Sequence, residues 1–132
     1  MKKVTIIIPN YNGAHFMEAC LASLKRQTSQ DFDILVVDNG STDGTKSLME
    51  EKYPAIPVLY LKENTGFSGA VNAGIKRAKT PYVILLNNDT EAEDGYVEAL
   101  VRAIERSPKI FSVSSLMIQM HDKEKIDDAG DL

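Results

Sequence analysis

The sequence lacks several features that would assign it to common classes of protein. It holds one cysteine, Cys20, among 132 residues, so neither an internal disulfide nor a cysteine-rich zinc site can form. Lys and Arg number 15 against 19 Asp and Glu, and the net charge of -4 argues against broad binding to nucleic acid or anionic lipid. No apolar stretch approaches the roughly 20 residues that span a bilayer. These absences predict a protein of a reducing compartment, which we expect to be cytoplasmic.

Nucleotide- and cation-binding signatures of three common kinds are also missing. No G-x-G-x-x-G follows the first apolar run, which makes dinucleotide binding of the Rossmann kind unlikely, and no G-x-x-x-x-G-K-[ST] is present. The stretch from Asp38 begins like a calcium loop, but Met49 stands where that loop needs a bidentate Glu. The first apolar run is too short for a secretion signal and ends at Pro9.

What the sequence does contain is a regular alternation of short apolar runs and longer periodic segments. The β-branched run from Val4 is typical of a strand buried on both faces. We predict strands at 4–9, 34–37, 57–61, 82–86 and 110–118, and helices at 14–27, 43–52, 67–79 and 94–106. Ser41 or Thr42 is the expected cap of the second helix.

This alternation predicts an α/β fold. Successive strand–helix–strand units require right-handed parallel crossovers, so the sheet should be mainly parallel with helices on both faces. Apolar residues at helical spacing indicate the faces that pack on the sheet. They are Phe16, Met17, Cys20, Leu21 and Leu24, then Ala70, Val71, Gly74, Ile75 and Ala78, then Val97, Leu100, Val101 and Ile104.

Polar clusters rich in Asn, Asp and Gly follow four of the predicted strands. They occupy residues 9–13, 38–44, 63–69 and 87–90. Each cluster taken singly is explained as a set of turn formers. Because the carboxyl ends of parallel strands share one edge, four such clusters together predict a ligand site there.

The same four segments resemble the motifs of family 2 glycosyltransferases. The segments are V-T-I-I-I-P-N-Y-N from Val4, V-V-D-N-G-S-T-D-G-T from Val36, N-T-G-F-S-G-A-V-N-A-G from Asn64, and L-L-N-N-D-T from Leu85. They occur in family order and cover nearly the whole chain. The resemblance implies a GT-A fold, a Rossmann-like nucleotide-diphospho-sugar transferase domain, and transfer of a sugar from a UDP- or dTDP-sugar with inversion.

The resemblance also implies a donor-binding role for residues of the first three segments. Asp38 would accept a hydrogen bond from the pyrimidine imide, and Tyr11 would stack on the base. Each of these residues also has a purely structural alternative. Asp38 would be a helix cap, the two glycines would form a tight turn, and Asn72 would make a buried hydrogen bond. The implied donor-binding residues are Pro9, Tyr11, Asn12, Asp38, Asn64, Gly66, Gly69 and Asn72.

The fourth segment occupies the position of the D-x-D metal motif of the family. Asp89 would bind Mg²⁺ or Mn²⁺, which bridges protein carboxylate to the donor diphosphate. Asn87 replaces the first Asp of the motif and would contact the ribose. Asn88 lies between Asn87 and Asp89 in the sequence. The alternative for Asp89 is a turn or helix-cap residue.

No residue is assigned as the general base that an acceptor hydroxyl requires. Asp127, Asp128 and Asp131 follow the last predicted strand too soon for that role. We therefore expect residues 1–132 to be one donor-binding domain that stops before the acceptor region and cannot transfer sugar alone.

The expected acceptor is a saccharide or a lipid-linked saccharide of cell-surface polysaccharide synthesis, and the protein could be peripheral at the inner face of the membrane. A non-catalytic nucleotide-sugar-binding module is the main alternative. A sugar nucleotidyltransferase would need a basic, Gly-rich triphosphate loop after the first strand, which is missing. A phosphate-receiver domain would need paired acids there, and residues 10–12 supply none.

Overall fold

The computed structural model describes residues 2–106, with the side chain of Ile104 left out of the description. Strands and helices alternate along this range. The predicted strand 110–118 and the late acids lie outside the described residues. The elements are β1 (Val4–Asn10), α1 (Ala14–Lys25), β2 (Phe32–Asp38), α2 (Thr45–Lys52), β3 (Val58–Tyr60), α3 (Gly66–Arg77), β4 (Tyr82–Leu85) and α4 (Tyr96–Arg106).

The four strands form one parallel sheet in the order β3-β2-β1-β4. The chain moves outward from β1 to β2 and β3, and then returns past β1 to place β4 on its other side. Right-handed crossovers in opposite directions put their helices on opposite faces of the sheet. The prediction of a mainly parallel α/β sheet with helices on both faces is confirmed.

Alternate residues of β1 enter two separate apolar clusters, as the two-residue period of a strand requires. Val4, Ile6 and Ile8 pack in the cluster that contains buried side chains of α1, α2 and α4. Ile7 packs in the second cluster, with Ala70 of α3 and with side chains of β2. The first strand is therefore buried on both faces, as its continuous β-branched sequence predicts.

Helix α3 approaches the sheet very closely at Gly74. A Cβ added there would lie 2.7 Å from Ile7 Cγ2 and 3.1 Å from Val37 Cγ2. This contact brings the first turn of α3 close to the carboxyl ends of β1 and β2. The glycine therefore serves helix–sheet packing.

Buried polar side chains in α1 and just after it hold the segment between β4 and α4. Gln27 donates through Nε2 to the Glu93 carbonyl (2.7 Å) and accepts through Oε1 from the Val97 N–H (2.9 Å). Ser23 Oγ accepts from the Ala92 N–H (3.0 Å). Because the first N–H groups of a helix lack helical partners, Gln27 satisfies one of them for α4.

Two sequence expectations about the helices are wrong. Helix α2 begins at Thr45 with Gly44 at the cap position and no capping side chain, so neither Ser41 nor Thr42 caps it. Phe16 and Ile75 are exposed although their spacing placed them with the packed faces. Helical periodicity identifies the apolar face of a helix. How much of that face is buried depends on the size and position of the elements that pack against it. Within residues 2–106 no helix is long and apolar enough to cross a membrane.

Candidate functional site

A cleft of about 320 Å³ lies where the direction of strand addition reverses, between the carboxyl ends of β1 and β4. Ligands of open α/β sheets bind at this kind of position because diverging loops leave a crevice there. Six of the residues implied by the sequence line the cleft: Pro9, Tyr11, Asn64, Gly66, Asn87 and Asn88. A larger hollow of about 560 Å³ lies toward the amino ends of β1 and β2 and contains none of the implied site residues.

Two large aromatic side chains stand exposed beside the cleft. Tyr11 follows β1 and is 50% exposed, and Phe67 lies in the first turn of α3 and is 57% exposed. Leaving this much aromatic surface in water forfeits the free energy that burial would supply. Both rings are available to stack on a flat ligand that enters the cleft.

Asp38 ends β2 and is only 5% exposed. Its Oδ1 accepts hydrogen bonds from the Ser41 hydroxyl (2.6 Å) and from Asn10 Nδ2 (3.0 Å), and its Oδ2 accepts the Ser41 N–H (3.2 Å). The carboxylate therefore braces the turn after β2 and does not cap α2. Oδ2 keeps the capacity to accept a second hydrogen bond. Asp38 does not appear among the side chains that line the cleft.

Asn12 also contributes to the loop after β2. Its backbone has a positive φ of 53°, a conformation that Asn tolerates better than most residues. Its Oδ1 accepts the backbone N–H groups of Thr42 (2.8 Å) and Asp43 (3.2 Å). The side chain thus joins the loops after β1 and β2, and it does not line the cleft.

Asn39 holds the loop that leads into α3. Its Nδ2 donates to Asn64 Oδ1 and to the Gly66 carbonyl, both at 3.0 Å. Its Oδ1 accepts from the backbone N–H (2.9 Å) and the hydroxyl (3.0 Å) of Thr65. The buried amide is fully satisfied, and it fixes the part of the wall that presents Asn64 and Phe67.

Asp89 lies in a turn closed by the hydrogen bond from Thr90 N to Asn87 O (3.1 Å). Asp89 is therefore a turn residue, as one of the alternatives stated. It does not cap α4, because that helix begins at Tyr96. Asp89 lines a second hollow of about 320 Å³ beside α1, together with His15 and Glu91. Asn88 lines both spaces and separates them.

The donor set around Asp89 fits a cation shared with a diphosphate. Its carboxylate is exposed, and within residues 2–106 no hydrogen bond or ion pair occupies it. The same range contains no group of three or more His, Cys, Asp or Glu side chains arranged around a metal position. Mg²⁺ is usually bound by one or two carboxylates plus substrate phosphates, and a single free carboxylate meets that requirement only when phosphate is present.

Of the three implied residues in α3, Gly66 lines the cleft, whereas Gly69 and Asn72 do not. Gly66 has a φ of 82°, which explains the glycine at the start of α3 by backbone conformation. Gly69 lies one turn later, where an added Cβ would fall 2.5 Å from Thr65 Oγ1. Asn72 is exposed on the side of α3 opposite Ala70, so the alternative of a buried hydrogen bond is wrong.

Sequence reasoning did not single out Asn10, Asn39 or Phe67. Asn10 and Asn39 adjoin predicted site residues, but their partners lie 25 to 78 residues away in the chain. Phe67 carries one available signal, since it is a large aromatic within the polar cluster 63–69, at the first position of the predicted helix. These three residues complete the walls of the cleft.

The parallel sheet with an amide-lined cleft at its switch point defines an open-sheet α/β domain, a class in which ligands bind at this crevice. Residues 5–128 match the family model "Glycosyl transferase family 2". This match covers most of the chain, and the chain belongs to that family. The GT-A fold class predicted from the motifs is confirmed by solved structures that superimpose on this chain.

Two relatives in sequence have names that refer to teichoic or teichuronic acid. The teichoic acid poly(glycerol phosphate) polymerase of Staphylococcus epidermidis is 39% identical over 95 residues, which are 69% of this chain and 13% of that protein. The putative teichuronic acid biosynthesis glycosyltransferase TuaG of Bacillus subtilis is 29% identical over 127 residues, 94% of this chain and 50% of that one. The chain thus spans half or less of the length of these relatives.

Two solved structures show ligands in similar folds. TarS 1-349 of S. aureus, in complex with UDP, superimposes with a TM-score of 0.69 at 26% sequence identity. The match covers 79% of this chain and 32% of the TarS chain. The mannosyltransferase PcManGT of Pyrobaculum calidifontis, in complex with GDP-Man and Mn²⁺, has a TM-score of 0.67 at 27% identity, over 77% of this chain and 32% of its own.

Proposed function

We propose that the chain binds the nucleoside-diphosphate part of a sugar donor, with UDP- or dTDP-sugars favoured, for inverting transfer to a cell-surface polysaccharide. The observation that carries the proposal is the cleft at the switch point, whose lining combines two exposed aromatics with five side-chain amides, those of Asn10, Asn39, Asn64, Asn87 and Asn88. The names of the teichoic and teichuronic acid relatives support the polymer class. The acceptor would be a saccharide or a lipid-linked saccharide.

In this proposal the aromatic rings hold the base and the amides orient the ribose and phosphates. Tyr11 and Phe67 offer faces for stacking, a contact worth roughly 1 kcal/mol beyond burial. Asp38 reads the imide N–H of a pyrimidine through the free acceptor position of Oδ2. Adenine presents a ring-nitrogen acceptor at the corresponding position, so Asp38 is the group expected to favour a pyrimidine imide over adenine.

A divalent cation, Mg²⁺ or Mn²⁺, would be held by Asp89 and would neutralise charge on the departing nucleoside diphosphate. Asp89 carries an exposed carboxylate on the β4 side of the site, next to Asn88 in the cleft wall. The Mn²⁺ in the PcManGT complex supports this assignment. Asn87, in place of a second carboxylate, leaves the metal site with less negative charge and therefore dependent on the diphosphate.

Calorimetry of the 132-residue chain tests the proposal directly. UDP should bind more tightly with Mn²⁺ than with EDTA, and more tightly than ADP under the same conditions. Asp89→Asn should remove the metal-dependent part of the affinity, whereas Asp33→Asn, an exposed carboxylate near the other end of β2, should leave it unchanged. Asp38→Asn should weaken UDP binding with and without metal. Equal affinity in Mn²⁺ and EDTA removes Asp89 from its role, and a preference for ADP removes Asp38.

A further inference from the structure

At the carboxyl edge of the sheet, Asn10 forms hydrogen bonds with residues on both sides of β1. Its side chain is 2% exposed at the end of β1, the strand between β2 and β4. Nδ2 donates to Asp38 Oδ1 (3.0 Å) and Thr45 Oγ1 (3.1 Å), with Ser41 Oγ at 3.3 Å. Oδ1 accepts from Asn88 Nδ2 at 2.6 Å. One buried amide thus touches the carboxylate after β2 and the amide after β4.

The surroundings permit only one orientation of this amide. A flipped Asn10 would point its carbonyl oxygen at the Asp38 carboxylate and its NH₂ group at the NH₂ group of Asn88. Both contacts would then be repulsive, and buried polar groups would lose their partners. Asn10 therefore holds Asp38 and Asn88 in one fixed relation.

Gly13 closes over the contact between the two amides. A Cβ at that position would overlap Asn88 Nδ2 and would lie 2.6 Å from Asn10 Oδ1. Any side chain at position 13 would therefore push on the contact between these two amides.

We infer that Asn10 is a positioning residue that couples the nucleoside end of the donor site, at Asp38, to its metal end, at Asn88 and Asp89. The inference rests on the proposed function. Because Asn10 already holds the two ends in one relation, a ligand that spans both ends does not have to order one end relative to the other. The coupling adds to the affinity of a ligand that occupies both ends and is absent for a ligand that occupies one.

Calorimetry with uridine and with UDP, each in Mn²⁺ and in EDTA, measures the coupling. Uridine lacks phosphate and reports on the nucleoside end alone. The metal gain is the ratio of the UDP dissociation constants in EDTA and in Mn²⁺. Asn10→Ala should weaken uridine binding in EDTA and also reduce the metal gain by at least about 5-fold, the lower end of ordinary coupling between sites. Asp38→Asn should weaken uridine binding in EDTA, and Asp89→Asn should reduce the metal gain.

A matched control on the same strand separates coupling from simple destabilisation. Thr5→Val breaks the buried hydrogen bond between Thr5 Oγ1 and Thr80 Oγ1 (2.7 Å) at the amino end of β1. It should lower the melting temperature and keep the metal gain. Gly13→Ala leaves both amides in the sequence but pushes on their contact, and it should reduce the metal gain. Removing Asn10 from an Asn88→Ala chain should cause no further reduction.

The outcomes are distinguishable. Wild-type protein that fails to bind UDP overturns the proposed function and the coupling with it. Wild-type binding with Mn²⁺ enhancement, together with an unchanged metal gain in Asn10→Ala, overturns the coupling alone. If Asn10→Ala does not fold, Asn10→Ser and Gly13→Ala decide the same question, and a metal gain that both variants retain rejects the inference.

Discussion

Buried amide side chains carry much of the hydrogen bonding at the carboxyl edge of the sheet. Asn10 and Asn39 each use both ends of the amide, and each joins segments that are far apart in the sequence. An amide is suited to this role because it offers donors and acceptors without a charge that must be desolvated. A carboxylate in either position would meet acceptors that are already negative.

Substitution of Asn39 by Asp tests this distinction at one hydrogen bond. The second carboxylate oxygen of Asn39→Asp would face Asn64 Oδ1 and the Gly66 carbonyl. We expect the free energy of unfolding to fall by about 2–4 kcal/mol in urea denaturation at pH 7. Asn64→Asp makes the same chemical change at the other end of the bond but keeps an acceptor for Asn39 Nδ2 and the Gly66 N–H. Its stability should be unchanged or higher, and equal losses in both variants would contradict the explanation.

Asp43 supplies a prediction about pH. Partial burial would raise its pKa, but hydrogen bonds from the Thr45 hydroxyl and from the Ala14 and Thr45 N–H groups outweigh that effect and hold the pKa below its ordinary value of 3.8. A lowered folded-state pKa stabilises the protein above the unfolded pKa, and this stabilisation is lost as pH falls through the folded value. Solvent screening limits it to roughly tenths of a kcal/mol.

Urea unfolding near pH 6 and again below pH 3.8 measures this contribution. The wild-type chain should lose more stability between the two conditions than Asp43→Asn, which cannot titrate. NMR titration of the Asp43 side-chain carbon should give a midpoint below that of an unfolded peptide. A midpoint at or above the peptide value would show that the three hydrogen bonds do not form in solution.

At the scale of elements, the fit of α3 against the sheet positions one wall of the cleft. The helix begins at Gly66, reaches its closest approach at Gly74, and carries Phe67 and Ala70 into the cleft lining. The cleft therefore depends on how deeply α3 sits on β1 and β2.

Gly74→Ala should destabilise the protein by about 1–2 kcal/mol in denaturant unfolding. The added Cβ would be forced against Ile7 and Val37, which are β-branched and stiff, and overpacking of this kind costs about 1–3 kcal/mol. The higher helix propensity of Ala recovers up to about 1 kcal/mol of that loss. Gly95→Ala is the matched control, because a Cβ there meets nothing within 4 Å. Its stability should change little, and a stabilising Gly74→Ala would mean that α3 packs less closely than described.

At the scale of the whole molecule, Cys20 reports on the integrity of the larger apolar cluster. The thiol is fully buried and donates a long hydrogen bond to the Asn87 carbonyl (4.0 Å). Burial, together with the charges of Asp89 and Glu91, raises its pKa to about 12. At pH 8 the ionised fraction would be roughly 10⁻⁴, and the thiolate is the reactive form.

We expect the folded chain to resist modification by iodoacetamide at pH 8. The same chain should react fully in a denaturing concentration of guanidinium chloride. Mass spectrometry of timed samples gives the rate. Modification of the native protein should accelerate with denaturant in step with global unfolding, because the thiol is buried by α1, the sheet and α4 together. Fast labelling without denaturant would show that α1 opens independently of the rest.

Much of the fold follows from local sequence. The β-branched runs predicted the four described strands, and the strand–helix alternation predicted parallel pairing, because both signals depend on neighbouring residues and on the handedness of crossovers. The position of the candidate site was also predictable. Polar clusters after parallel strands must share one edge of the sheet, whatever the strand order.

Only the tertiary structure decided which of those polar residues face each other. It placed β4 beside β1, which opened the cleft and brought Asn88 to Asn10 across 78 residues of chain. It turned Asp38 and Asn12 toward the loop after β2, and left Phe16 and Ile75 exposed. A sequence pattern records the period and chemistry of each segment. The partner of a buried amide, and the depth to which a helix face is covered, are set by the packing of distant segments, which no local pattern contains.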